Sequence, residues 1–469
     1  MVKARCIFIP WTSLLAAGCA AVGPDYRVPG SAVVNAPAAQ GPFLSGGEAV
    51  TAEPLPDHWW KLYDDPRLDG LIEQALAKNT DLRVAEANLE RSDALLAEAR
   101  SSRFGGLADV EANYVQQSAE AALQHVQPPE RYTANAGVGV SYDLDLFGRI
   151  RRGIDAASAD QEGVVAARDL ARVSVAAETT RAYADICNSG RQLDVVRRSI
   201  VIQHQSLVLT RELVRNGRSP LFEQQRQQGT VESSQALLAP LAARQRNAAF
   251  RLATLVGRPP RDYDPAWLTC ATPLELKHPI PTGDGEALLK RRPDVRAAER
   301  RLAAATARIG VATAALYPDI KLGATVGSTG AAVDFLSALT NRFGIGPAIS
   351  WDLNRSAVRD RIAASQAGAK ASLASFDGTV LLALRETETS LDTYAAALDR
   401  LARLEQSEQE AAQVLARTRE LRKGGRVSGL VALDAERNWI AATAATATAE
   451  ADVNSDQIDV FLALGGGWS

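Results

Sequence analysis

Two alternations of apolar and polar residues organise this chain. The first has steps of three, four and seven: Leu68, Leu71, Ala75, Leu82, Ala85, Leu89, Leu96 and Ala99, and again Leu288, Val295, Leu302, Ile309 and Leu316. That spacing keeps one helix face apolar and is the signature of a coiled-coil seam, with the many alanines allowing close approach. Longer helices are predicted over about 151–214 and 357–423, neither containing a proline. Sixty-odd residues at ~1.5 Å each reach roughly 100 Å. Helices of that length do not wrap a compact core; they predict a rod, a stalk or a tube. Gly217 and Gly424-Gly425 stand where helix C-termini favour glycine. Return helices are then predicted over about 221–255 and 430–463, the first kinked by Pro240.

The second alternation has period two. Ala134, Ala136, Val138, Val140, Tyr142, Leu144 and Leu146 interleave with Asn135, Gly137, Gly139, Ser141, Asp143 and Asp145. Ile345, Pro347, Ile349, Trp351 and Leu353 interleave with Gly344, Gly346, Ala348, Ser350 and Asp352. Shorter partners precede each, so strands are predicted at about 107–116, 132–146, 319–328 and 343–353. One apolar face and one small or polar face suit a barrel strand between lipid and a wet lumen. A soluble sheet packed on helices would show the same alternation. Tyr142 and Trp351 occupy equivalent positions and are candidates for an interfacial aromatic girdle. Four strands cannot close a spanning barrel, so a membrane role requires oligomerisation.

The two halves share one plan. Shifted by 213, Asp81, Leu82, Arg83, Ala85, Glu86 and Leu89 fall on Asp294, Val295, Arg296, Ala298, Glu299 and Leu302. At 209, Tyr142-Asp-Leu144 falls on Trp351-Asp-Leu353, and at 208 Thr210-Arg-Glu-Leu213 falls on Thr418-Arg-Glu-Leu421. The predicted organisation is a leader (1–18), an N-terminal extension (19–66), a first repeat (67–260), a Pro-rich connector (261–283) and a second repeat (284–469).

The leader changes the picture most. Lys3 and Arg5 precede an apolar stretch, Ile7 to Ala17, too short to span a bilayer, and Ala16-Ala-Gly18 lead into Cys19. This is the look of a bacterial lipoprotein signal, with Cys19 the lipidation site, although Ala16 stands where Leu is usual. A plain secretory peptide beside a chance cysteine is the alternative. Ala20 is not an aspartate, so nothing resembles an inner-membrane retention signal, and a lipid-anchored outer-membrane location reaching into the periplasm is expected. Loss of Lys3 and Arg5 takes the net charge from −3 to −5, with no hint of nucleic acid.

Candidate chemistry is sparse. His58, His125, His204 and His278 are isolated, and no metalloprotease, nucleophile-elbow or phosphate-loop motif is present, so catalysis, metal sites and cofactors other than the lipid are not expected. Cys187 falls in an Ala-rich helical run and Cys270 in the connector. A bridge between them is possible in an oxidising compartment, but the reading favours two separate thiols.

Several segments together resemble the outer-membrane efflux proteins, the TolC-like exit ducts, in their lipoprotein branch serving resistance-nodulation-division multidrug pumps. They are Cys19 with Val22-Gly-Pro-Asp-Tyr-Arg-Val-Pro29, Trp59-Trp-Lys-Leu-Tyr63, Leu144-Asp-Leu-Phe-Gly-Arg149, Arg291-Arg-Pro-Asp-Val-Arg296, Leu316-Tyr-Pro-Asp319 and Ala463-Leu-Gly-Gly-Gly-Trp468. The resemblance implies a mainly α fold with β: a long helical tunnel plus four strands per protomer in a homotrimeric twelve-stranded transmembrane barrel. It implies a periplasmic membrane-fusion adaptor and an inner-membrane pump as partners, with passive export of small molecules such as drugs. Matching positions at the periplasmic constriction are Leu430, an apolar ring, and Asp434, a carboxylate ring that favours cations. Val431 stands where some relatives carry a second aspartate. Asp434 on a solvated face, paired with Arg437, is the alternative. Gly217 and Ser219, and Gly425 and Ser428, mark two turns that are candidate adaptor contacts. A type I protein-secretion duct and a non-spanning, lipid-anchored coiled-coil scaffold remain alternative functions.

Overall fold

The computed structural model describes residues 21–115 and 131–466. The chain divides into two compact units, each built from three stretches. One comprises Met1–Pro29, Leu89–Gly163 and Ala298–Phe376; the other comprises Gly30–Asn88, Val164–Ala297 and Asp377–Ser469. Besides a single turn at Pro37–Gln40, the α-helices among the described residues are α1 (Pro66–Lys78), α2 (Thr80–Ser101), α3 (Arg149–Arg215), α4 (Leu221–Ala236), α5 (Leu238–Leu255), α6 (Gly285–Arg291), α7 (Pro293–Ala314), α8 (Arg355–Lys423) and α9 (Gly429–Ala463). At 67 and 69 residues, α3 and α8 are each about 100 Å long.

The first unit carries an antiparallel sheet of β1 (Phe104–Val115), β2 (Arg131–Asp143), β3 (Asp319–Ala331) and β4 (Asn341–Ser350), in that spatial order. The long alternation ends sooner than its pattern suggests. Strand β2 stops at Asp143 because Asp145 adopts φ 47° and Gly148 φ 76°, turning the chain toward α3. Both Asp145 carboxylate oxygens accept helix-entrance amides, from Ile150 and Arg151 at 2.8 Å each, satisfying donors that the first helical turn leaves open. Likewise β4 ends at Ser350, and Trp351 lies beyond it. Helices α7 and α3 meet in this unit through Ala159, Ala303 and Ala304, with Tyr26 against them.

The second unit is organised around aromatic side chains. Trp59 and Phe461 are fully buried and stack with centroids 4.4 Å apart; Tyr63 packs edge-on to both. Leu68, Ile72, Ala75, Ile186, Leu252, Leu288 and Leu391 close the cluster.

The opening helix of each half is interrupted. The first break falls at Asn79, whose side-chain oxygen accepts from the amides of Asp81 and Leu82 and so starts a new helix. The second falls at Arg292, held extended (φ −60°, ψ 119°) because Pro293 excludes the helical region from its predecessor. The return helix also breaks: α4 ends at Ala236, the residue whose carbonyl the Pro240 ring would strike.

One expectation is overturned. Cys187 and Cys270 form a disulfide, with their Cα atoms 4.6 Å apart. Gly190, one helical turn from Cys187, makes room: a Cβ there would lie 2.0 Å from the Cys270 carbonyl. The connector is thereby stapled to α3, with Gln245 donating to the Leu268 carbonyl at 3.0 Å beside it.

Candidate functional site

The sheet has two faces of opposite character. On one lie Phe104, Val110, Tyr114, Tyr132, Val138, Val140, Tyr142, Leu322, Val326, Phe343, Ile345 and Ile349, in cross-strand register. All of these but Tyr142 are markedly exposed. On the other face Asn135 donates to Asp109 at 2.6 Å and accepts from Thr329 at 2.7 Å and from Arg342 at 2.8 Å. Glycines 137, 139, 323, 327, 344 and 346 keep much of that face low, with Glu111, Lys321, Thr325 and one exposed apolar residue, Leu107, on the same side.

Aromatic pairs bracket the apolar face. Phe104 meets Tyr142 at 5.1 Å, and ten residues along β2 Tyr132 meets Tyr114 at 5.2 Å. Ten residues at ~3.3 Å span about 33 Å, which a strand tilt of about 40° reduces to about 25 Å, the height of a barrel's apolar band. Of the two aromatics singled out by pattern, Tyr142 thus sits on a strand, opposite Leu322. Trp351 lies at the same end of the sheet but off the strand, its Nε1 donating to the Leu316 carbonyl at 3.1 Å. The Tyr114–Tyr132 pair was missed; its signal was two tyrosines at the far ends of two alternating runs.

Short motifs scattered through the chain meet in space. Near the sheet's Tyr142 end, Phe147 stacks on Tyr317 at 4.5 Å, and Arg149 joins Asp143 at 2.7 Å and Asp319 at 3.5 Å. Val22 donates its amide to the Phe147 carbonyl at 3.1 Å. Arg152 clasps the same segment, donating to the carbonyls of Val22 and Gly23 and to Asp25 at 2.8 Å, which holds the Asp25 carboxyl below its ordinary value. Gly23, at φ 91°, lies so close to Gly310 that a Cβ would come within 2.4 Å of its Cα. The Val22–Pro29 motif is therefore a docked strap. Cys19 lies outside the described residues.

In the second unit the motifs at 291–296 and 463–466 form one cap. Arg291 donates to the Leu464 carbonyl and Arg292 to the Ala463 carbonyl, both at 2.8 Å, closing the C-terminus of α9 where carbonyls lack helical partners. Arg292 is also tied to Asp294 at 2.7 Å and Glu386 at 2.8 Å, and these carboxylates raise its pKa against the opposing effect of burial.

The two helix turns share one geometry. Gly217 (φ 68°) follows α3 and Gly425 (φ 70°) follows α8. Arg218 donates to the Leu213 carbonyl and Gly217 to Val214; Arg426 donates to Leu421 and Gly425 to Arg422, all at 2.8–3.0 Å. Both are Schellman closures, which need a residue able to adopt positive φ. Ser428 caps α9, accepting from the Val431 amide at 3.4 Å, whereas Ser219 is half-buried and Pro220, at the N-cap of α4, offers no side-chain cap. Leu430 and Asp434, one turn apart on α9, are both exposed on the face opposite Ala432, Leu433 and Ala435. Arg437 turns away to donate to Gln227 at 2.5 Å, and among the described residues Asp434 has no ion pair.

A four-stranded sheet with one apolar face, one largely polar face and outer edges unpaired among the described residues, on a chain with helices of about 100 Å, is the architecture of an outer-membrane channel chain. The chain matches the family model described as outer membrane efflux protein over residues 71–258 and 285–466, and it belongs to that family. Nodulation protein T of Rhizobium leguminosarum bv. trifolii is 26% identical over 468 residues, with 98% of this chain and 97% of that protein covered. The probable efflux pump outer membrane protein TtgC of Pseudomonas putida is 27% identical, covering 97% and 94%. Among solved structures, the outer-membrane channel OprN is 32% identical with a TM-score of 0.84, covering 95% of this chain and 99% of that one. The protein is accordingly an outer-membrane exit duct of an efflux system.

Proposed function

We propose that three copies of this chain close their sheets edge to edge into one twelve-stranded barrel, continued by a helical tunnel into the periplasm, where an adaptor and an inner-membrane pump engage it. The observation that carries this reading is the sheet itself: its first and last strands each pair on one side only, their outer edges having no strand partner among the described residues, and open edges are not tolerated at membrane depth. The two-copy plan of the chain is supported by the paired matches to the family model and by the matching closures at Gly217 and Gly425. In this reading conduction is passive, the pump supplies energy and cargo choice, and small molecules such as drugs are the cargo.

Leu430 and Asp434 then form the narrowest rings. Asp434 is suited to this by being exposed and without an ion pair among the described residues, and a carboxylate ring favours cations. The turns at Gly217 and Ser219 and at Gly425 and Ser428 are the adaptor contacts in this reading, with Gly217, Gly425 and Ser428 exposed and Ser219 half-buried. A diacyl anchor on Cys19 fits the strap: three residues of chain reach at most ~11 Å, so the anchor would begin near Val22, which is bonded to Phe147 beside the sheet's aromatic end. Planar-bilayer recording tests the duct and its gate together. The purified protein should form channels, and Asp434→Ala should raise conductance or weaken cation preference. Absence of pores defeats the duct; unchanged conductance and selectivity removes Asp434 from the constriction.

A further inference from the structure

The connection between β3 and β4, residues 332–340, is unusual for a loop expected to face water. Val333 is 91% exposed and Leu339 93%, Leu336 is also strongly exposed, and Asp334 is the one charged side chain in the segment. The loop does not project from the sheet. It starts beside the Thr133–Ala331 rung, one residue from the Tyr132 aromatic pair, and folds back over the apolar face to Ser328, three residues lower on β3. There the fully buried Ser328 hydroxyl accepts from the Leu336 amide at 3.0 Å and donates to the Thr340 hydroxyl at 2.9 Å. Leu336 is held at φ 66°, a conformation leucine rarely adopts, and the bond to Ser328 fixes it there.

Several of the loop's own polar groups are used internally. Ser337 donates to the Asp334 carbonyl at 3.0 Å, the amides of Thr340 and Asn341 both donate to the Ser337 carbonyl at 3.1 Å, and the Thr340 hydroxyl donates to the Asp334 carbonyl at 2.8 Å. Backbone engaged in this way can enter an apolar phase, whereas free amides cannot. Of the three exposed apolar side chains, Leu336 lines one hollow with Val326 and Phe343 on the apolar face.

We infer that residues 332–340 form a lipid-seated collar, in which Val333, Leu336 and Leu339 lie against acyl chains of the outer leaflet while Ser328 pins the loop to the sheet. This rests on the reading that the apolar face meets lipid, and the test separates the two. Full-length Leu339→Cys and Ile345→Cys proteins, each carrying a bimane label, are reconstituted in phosphatidylcholine vesicles and quenched with brominated-tail phosphatidylcholine or with aqueous iodide. Both labels should be quenched several-fold more by the bromolipid than by iodide, and Val333→Cys should repeat the result if Leu339→Cys assembles poorly. An iodide-accessible label at 339 beside a lipid-quenched label at 345 overturns the collar and leaves the duct intact. A label at 339 reached by neither quencher, beside a lipid-quenched 345, also overturns it and assigns the loop to a second copy of the chain. Iodide access at both positions overturns the duct reading itself.

Discussion

The sheet and the aromatic cluster around Trp59 use the same kinds of side chain to opposite ends. In the second unit Trp59, Phe461, Leu68 and Ile72 are sealed from solvent. In the first unit Phe343, Ile345 and Val110 stand on the sheet's apolar face and, among the described residues, are more than 80% exposed. Burial inside the chain is one way to remove apolar surface from water; a lipid phase is another. The sheet therefore cannot be judged by the rule that fits the helices. Its stability depends on what surrounds it, while the cluster carries its stability within the chain.

The sharpest break of this contrast is Phe461→Ala. Removing a fully buried ring that stacks on Trp59 should cost about 3–5 kcal/mol, because the surrounding helices cannot collapse onto the void. Thermal unfolding followed by circular dichroism should show a large fall in melting temperature both in detergent and in lipid. Next in size is the Cys187–Cys270 bridge, which spans 83 residues of sequence. Replacing both cysteines by serine should cost about 2–5 kcal/mol, with the loss reproduced by reductant on the parent protein. If reductant leaves the melting temperature unchanged, the bridge does not constrain the connector.

How much of this was legible beforehand depends on the distance over which each signal acts. Period-two and heptad patterns are local, so strands and long helices could be read from runs such as Ala134–Tyr142 and Leu82–Ala99. Their ends were less legible, because ends are set by single side chains: Asp145 draws the chain out of β2, and Asn79 and Pro293 cut helices that the apolar pattern runs straight through. What long-range contacts decide was hidden. Gly190 in mid-helix was the one local clue to the disulfide, and nothing near Arg291 and Arg292 announces that they cap a helix ending some 170 residues later. Leu430 and Asp434 came from family resemblance; the structure adds that Arg437 is engaged by Gln227.

The sheet side of the comparison is sharpened by a matched pair. Ile345→Arg places a charge in the middle of the apolar face and should cost about 2–4 kcal/mol in a bilayer, abolishing the heat-modifiable species on unheated gels. Thr325→Arg, on a neighbouring strand but the polar face, should assemble normally. Equal tolerance of both would mean that the apolar face does not meet lipid.

The smallest effect tests whether the helical unit obeys ordinary aqueous electrostatics. Asp456 on α9 has its pKa raised by burial first and then by the like charges of Asp459 and Asp452. A carboxyl whose folded value exceeds its unfolded one binds its proton more tightly in the native state, so it favours the fold at acid pH and opposes it once ionised. Asp456→Asn removes that opposition. The variant should melt higher than the parent at pH 7, by no more than the equivalent of about 1 kcal/mol because the group is partly solvated. The difference should shrink toward zero below about pH 3.9, where the unfolded carboxyl is itself protonated. A gain of equal size at pH 7 and pH 3 would trace the effect to packing of the amide, and the charge repulsion along α9 would then contribute nothing measurable.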